Sequence, residues 1–151
     1  MTKLVVWTLD GQRYALPFAA VERVLRAVAV TPLPDAPDVV SGIVNVHGEV
    51  MPVVDLRRRL RLPARETAAT DLLMLASSAT RKLAFFVDAV SGMADYPETD
   101  ITGADSIAPG LGCVVGVARL PDGMVLIQDL DRFLSLDEER LLDRAIAGGQ
   151  A

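Results

Sequence analysis

His47, Cys113 and the pair Asp55 and Asp129 are the residues whose type and placement invite a chemical reading. His47 is the only histidine, lying between Val46 and Gly48 in GIVNVHGEVMPVVDLRRRL (42–60). A metal site needs several nitrogen, sulfur or carboxylate ligands at short spacing, and no second histidine exists, while Cys113 is 66 positions away. No short motif supplies a nucleophile with a base. The one enzymatic reading left is a small enzyme using His47 with a carboxylate brought to it by folding. It predicts that His47→Ala abolishes a turnover and leaves partner binding intact. A histidine at a hairpin tip reads instead as a surface contact residue. Cys113, in the apolar run CVVGVA, reads as a small buried hydrophobe. The glycine-rich PGLGCVVG (109–116) lacks a Lys-Ser/Thr end and precedes a strand, so it fails as a phosphate loop. Asp35, Asp38, Asp95, Glu98, Asp100 and Asp105 fall in loop-like stretches without calcium-loop spacing and read as solvated charge.

Asp55 and Asp129 recur in one context, after an apolar strand and before a short segment of leucine and arginine. There a carboxylate can accept a hydrogen bond from a backbone N–H in the first turn of a helix. A cap explains the repetition; a catalytic acid would not need to occur twice.

The elements that position these residues also repeat. A shift of 74 lays GIVNVHG (42–48) over GVARLPD (116–122) and PVVDLRRRL (52–60) over LIQDLDRFL (126–134), matching Gly42 to Gly116 and Asp55 to Asp129. A shift of 69 lays YALPFAAV (14–21) over LAFFVDAV (83–90). The chain reads as a diverged duplication. Five strands are expected in the first half, LVVWT, RYALP, VLRAV, GIVNV and VMPVV, with Asp10-Gly11 and His47-Gly48-Glu49 as turns. Pro52 points to an edge or a bulge. The second half supplies LLMLA, KLAFFV, a run near VSGMADY, VVGVARL and MVLIQ. Strands joined by hairpin-length turns cannot form a parallel sheet, which needs long crossovers. The expected fold is therefore mainly β: two five-stranded antiparallel barrels, 1–66 and 67–135, then an amphipathic helix over 136–147. Each half is near the lower limit for an independent core, so the two are expected to share apolar surface.

Composition sets outer bounds. The 151 residues are 51 % apolar and 23 % charged, which fits a globular chain. The net charge of −5 opposes nucleic-acid binding, and the one basic cluster, Arg57, Arg58, Arg59 and Arg61, reads as a solvated helix face. No apolar run approaches the roughly 20 residues a bilayer requires, and a cytoplasmic location is expected. One tryptophan, two tyrosines and four phenylalanines supply a poor groove for proline-rich peptides. No cofactor is implied.

The run PLPDAPDVVSGIVNVHGEVMPVVDLRRRL (32–60) closely resembles the matching part of CheW, the chemotaxis adaptor family, in which a proline-rich connector leads into G-apolar-apolar-N-apolar-R-G and a strand ending in V-D-L-R. The resemblance extends over nearly the whole chain. It implies two five-stranded SH3-like barrels and a non-catalytic adaptor coupling the cytoplasmic tip of methyl-accepting chemoreceptors to a CheA-type histidine kinase through that kinase's regulatory domain, possessing neither enzymatic activity nor a cofactor or metal. It also admits a CheW-like module of a non-chemotaxis two-component pathway. Family receptor contacts would map onto Val21, Arg23, Gly42, Asn45, His47, Gly48, Val87, Asp88 and Val90, in a groove between the barrels, with no membrane insertion of the adaptor itself. Two positions depart from the family pattern: its arginine is His47 here, and its frequent glutamate is Arg23. A neutral histidine offers one donor and one acceptor where arginine offers a permanent five-donor fork. The connector from Ile101 to Gly112 is also shorter than is usual in the family.

Overall fold

A computed structural model describes residues 1–26, 28–103 and 113–149. Eleven strands are found among them: β1 (Thr2–Leu9), β2 (Gln12–Pro17), β3 (Val21–Arg26), β4 (Val40–Val46), β5 (Glu49–Val54), β6 (Leu72–Ser77), β7 (Lys82–Val87), β8 (Ala89–Tyr96), β9 (Ile101–Gly103), β10 (Val114–Leu120) and β11 (Gly123–Gln128). The single-turn α1 (Leu56–Arg59) follows β5, and the terminal α2 (Leu136–Gly149) ends the described chain. Asp105 and most of the 101–112 connector lie outside the described residues.

The strands form two sheets, a six-stranded one ordered β8-β1-β2-β11-β10-β9 and a five-stranded one ordered β3-β6-β7-β5-β4. The fold is mainly β with two barrel-like units, as expected, and the short β9 is an addition the sequence did not disclose. The division at residues 66 and 67 is corrected. The six-stranded sheet takes β1 and β2 from the first repeat and β8 to β11 from the second; the other takes β3 to β5 from the first and β6 and β7 from the second. The barrels are also not purely antiparallel, since β2 pairs with β11 and β5 with β7 in parallel. Because these partners belong to different repeats, their long connections are already present in the chain. Pro52 is correspondingly not on an edge. It sits opposite Ile43 in a strand flanked on both sides, and the pairing with β7 is confined to Val53 opposite Ala84, so no N–H of Pro52 is needed there.

The duplication is exact in register. Val6 opposite Ala15 repeats as Leu75 opposite Ala84, 69 residues on. A bulge between Val40 and Gly42 on β4 repeats between Val114 and Gly116 on β10, 74 residues on. The Asp55 N–H donates to the Val39 carbonyl at 2.6 Å, and the Asp129 N–H to the Cys113 carbonyl at 2.7 Å.

Side-chain alternation sorts most of the buried apolar residues into three cores, with Val114 and Val117 in a small fourth cluster. Leu4, Val6, Ala15, Val125 and Ile127 fill the six-stranded barrel, and Val44, Met51, Val53, Leu73, Leu75 and Ala84 fill the other. The opposite faces of the same strands meet between the sheets: Val5, Trp7, Leu9 and Leu16 pack with Met74, Leu83, Phe85 and Val87. Phe85 links Trp7, at 5.3 Å between ring centroids, to Phe133, at 5.5 Å. Strands buried on both faces explain the unbroken apolar runs at β1, β6 and β7.

Turn chemistry sets the hairpins. Asp10 and Gly11 both have positive φ, 53° and 78°, as do His47 and Gly48, 51° and 85°. Two left-handed residues in a two-residue loop make a turn whose twist matches that of the strands it joins. The helix α2 starts with a reciprocal cap in which the Ser135 N–H donates to Glu138 and the Glu138 N–H to the Ser135 hydroxyl. Its inner residues Leu142, Ala145 and Ile146 lie against the protein's interior.

Candidate partner-binding site

The twisted hairpin of β4 and β5 places His47 at an exposed tip, and the Asn45 side chain steadies it by accepting the Gly48 N–H at 2.9 Å. On the facing edge, the bulge between Val21 and Arg23 on β3 turns Arg23 toward the same opening. Arg23 and His47 line one open depression of about 440 Å³ with Glu22, Val46, Glu49, Met51 and Leu75. Met51 and Leu75 belong to the inner core of the five-stranded barrel, so the depression is an end of that barrel with an apolar floor and a charged rim.

The rim charges are not equivalent. Lys82 donates to both oxygens of Glu49, at 2.9 and 2.8 Å, and lies 3.4 Å from Glu22. The Ser77 hydroxyl donates to Glu22 at 2.7 Å. That hydrogen bond holds the Glu22 carboxyl below the usual carboxylate range, with Lys82 adding to the effect, and the bond to Glu49 raises the Lys82 ammonium. The acids of the rim are therefore engaged by Ser77 and Lys82. Arg23 and His47 form no hydrogen bond or ion pair among the described residues. The arrangement offers an apolar recess beside two free nitrogen-bearing side chains. No group of three metal-ligating side chains occurs among the described residues.

The remaining expected contact residues separate by environment. Asn45, near the end of β4, and Gly48, in the turn, are exposed. Val21 and Val90, equivalent at a shift of 69, are half-buried at the two matching bulges, opposite Ala76 and Trp7, and pack on the core between the sheets. Gly42 is buried, with the Thr31 carbonyl oxygen 2.3 Å from where a Cβ would sit. Val87 is corrected: at 1 % exposure it is a core residue of β7, because that strand is covered on both faces. Asp88 serves the fold. Its carboxylate accepts from Arg57 at 3.0 and 3.1 Å, from Arg65, and from the Asp10 N–H at 2.9 Å. Burial raises this carboxyl, but the Asp10 N–H and the two guanidiniums outweigh it and leave the pKa below the ordinary value.

Sequence reading missed Glu22, Glu49, Met51, Leu75 and Lys82 around the recess. The alternation of β5 and β6 carries the signal for Met51 and Leu75, whereas the approach of Lys82 to Glu49, 33 residues away, leaves no local trace.

The family model of the CheW-like domain matches residues 3–138. The chain belongs to the CheW-like family. It is 28 % identical to the chemotaxis protein CheW of Rhizobium meliloti over 138 residues, covering 90 % of this chain and 89 % of that protein. Protein FrzA of Myxococcus xanthus is 29 % identical over 136 residues, covering 87 % and 84 %. The crystal structure of the scaffolding protein CheW from Thermoanaerobacter tengcongensis superposes with a TM-score of 0.82 at 26 % identity, covering 91 % of this chain and 94 % of that one. In this CheW-like chain no described helix is long and apolar enough to cross a membrane.

Proposed function

We propose that this CheW-like chain is a non-catalytic signalling adaptor, coupling the cytoplasmic tip of methyl-accepting chemoreceptors to the regulatory domain of a CheA-type histidine kinase. The observation that carries this reading is the barrel-end recess, where Arg23 and His47, with no hydrogen bond or ion pair among the described residues, stand over the apolar floor of Met51 and Leu75. Unpaired donors beside apolar surface suit recognition, since a partner's carboxylate and apolar side chain both find complements there. Arg23, Asn45, His47 and Gly48 form the exposed part of the contact, and Val21 and Val90, packed on the core between the sheets, are a second part of the proposed surface. The adaptor works in the cytoplasm and reaches the membrane only through its receptor.

A second reading is a CheW-like module of a non-chemotaxis two-component pathway, since the similar proteins include one named FrzA and not chemotaxis protein CheW. Affinity purification of the tagged protein from its native cells distinguishes the two. Recovery of a CheA-type kinase with a methyl-accepting receptor, lost on Arg23→Glu together with His47→Glu, is the expected result. Recovery of a different kinase, from cells that contain both expected partners, favours the second reading.

A further inference from the structure

The segment after β5 contains Arg57, Arg58, Arg59, Arg61 and Arg65 in a chain whose net charge is −5. The fold treats these side chains differently. Arg57 is held by Asp88 and Asp10, Arg59 by Glu138, and Arg65 by Asp71 and Asp88. Arg58 and Arg61 are exposed and pair with no acid among the described residues. Both line a depression of about 320 Å³ whose wall includes Arg57 and Arg65. Its one acidic lining residue, Asp55, already accepts the Arg58 N–H.

Two further observations set these arginines apart from the needs of the fold. Arg61 has φ 58° where α1 ends, its N–H donating to the Arg58 carbonyl and the next N–H, of Leu62, to the Arg57 carbonyl. Glycine takes that helix-ending position without strain, whereas arginine must be forced into it. The second repeat is an internal control: Asp129 caps its short turn with Asp131, Arg132, Phe133 and Ser135 at the positions of Arg57, Arg58, Arg59 and Arg61, so that of the four only Arg58 has an arginine counterpart. The capped turn forms there without an arginine cluster.

We propose that this depression docks an acidic segment of a partner protein, whose carboxylates are received by Arg58 and Arg61. Arg57 and Arg65, fixed by their own acids, form a preordered wall, so little side-chain freedom is lost there on binding. A recess of side-chain size without lining aromatics suits a peptide carboxylate better than a nucleic-acid strand, and the acidic chain as a whole repels polyphosphate. The surface follows the C-terminal end of β5 while His47 precedes its N-terminal end, so the two recesses lie at opposite ends of a six-residue strand, about 20 Å apart. An acidic segment docked here would not displace a partner at the barrel end.

The test is fluorescence anisotropy of a labelled hexaglutamate peptide with the full-length protein at low salt. The expected result is saturable binding that weakens with added salt, falls at least tenfold in Arg58→Glu/Arg61→Glu, and falls about threefold in Arg61→Gly, a substitution that relieves the backbone and so preserves the fold. Arg140→Glu, the same charge change on α2, is expected to stay within twofold of the unmodified protein. The proposal is overturned by absence of binding, by an Arg140→Glu loss equal to that of Arg58→Glu, or by tighter binding of oligothymidylate of the same length.

Discussion

Ala15 stands opposite Ile127 in a parallel ladder, although the two belong to different sequence repeats. The matching pair, Ala84 opposite Val53, joins the same repeats in the reverse sense. Each barrel is thus completed by strands from the other half of the chain. Residues 1–66 and 67–135, expressed separately, are each expected to lack a sheet circular-dichroism signal as monomers. A cooperative thermal transition in either monomer would contradict the shared architecture.

The bulge glycines differ in how closely the chain passes them. A Cβ at Gly42 would lie 2.3 Å from the Thr31 carbonyl oxygen, and one at Gly116 would lie 3.3 Å from the Thr102 carbonyl oxygen. Gly42→Ala is expected to cost about 3 kcal/mol and Gly116→Ala about 1 kcal/mol, by the usual penalty for overpacking. Urea melts of the two variants check the order.

Asp55 and Asp129 both cap short turns, accepting the N–H of Arg58 at 3.1 Å and of Asp131 at 3.0 Å. Each Asp→Ala change is expected to cost about 1 kcal/mol. The double variant should lose the sum of the two, since the sites share no partner. A markedly non-additive result in denaturant melts would show that the caps are coupled.

The Asp88 carboxyl has a folded pKa below its ordinary value, so its contribution is present above the unfolded pKa and disappears as pH falls through the lowered folded one. Asp88→Asn is expected to cost about 2 kcal/mol at pH 7, because it leaves Arg57, only 12 % exposed, short of its charge partner. As the pH falls through that lowered pKa the variant and the unmodified protein should converge. A stability difference that does not change with pH would rule out the ionised carboxylate as its source.

His47 occupies the left-handed region at φ 51°. His47→Gly is expected to raise stability by about 1 kcal/mol through relief of that strain, while weakening capture of the partner held at the recess. Thermal melts and pull-downs on one preparation read both effects. Loss of stability in the glycine variant would place His47 among the structural residues.

The local chemistry was legible where short-range patterns govern it. Asp10-Gly11 and His47-Gly48 announce their turns, and the recurrence of Asp55 at Asp129 announces two caps. The exchange of strands was hidden because Ala15 and Ala84 lie in runs with the same alternation, so nothing local states which repeat each will pair with. Val87 was misread for a related reason: a strand covered on both faces offers no polar side from which to judge accessibility. The Arg57–Asp88 pair spans 31 residues and is created only when α1 comes against the end of β7. One signal was present and unused, since Ser135 with Glu138 three residues later spells the cap that starts α2.

The crossed pairing of Ala15 and Ala84 also redefines the unit of assembly. Two separate half-length chains exchanging strands in this way would form a two-fold, domain-swapped dimer, and the stretch from Arg61 to Thr70 is the tether that makes one molecule of two. The tether converts association between protomers into an intramolecular event, which removes the concentration dependence of the fold. It also frees each copy to diverge, and Arg57, Arg59 and Arg61, which stand where the other turn has Asp131, Phe133 and Ser135, are what that freedom permits.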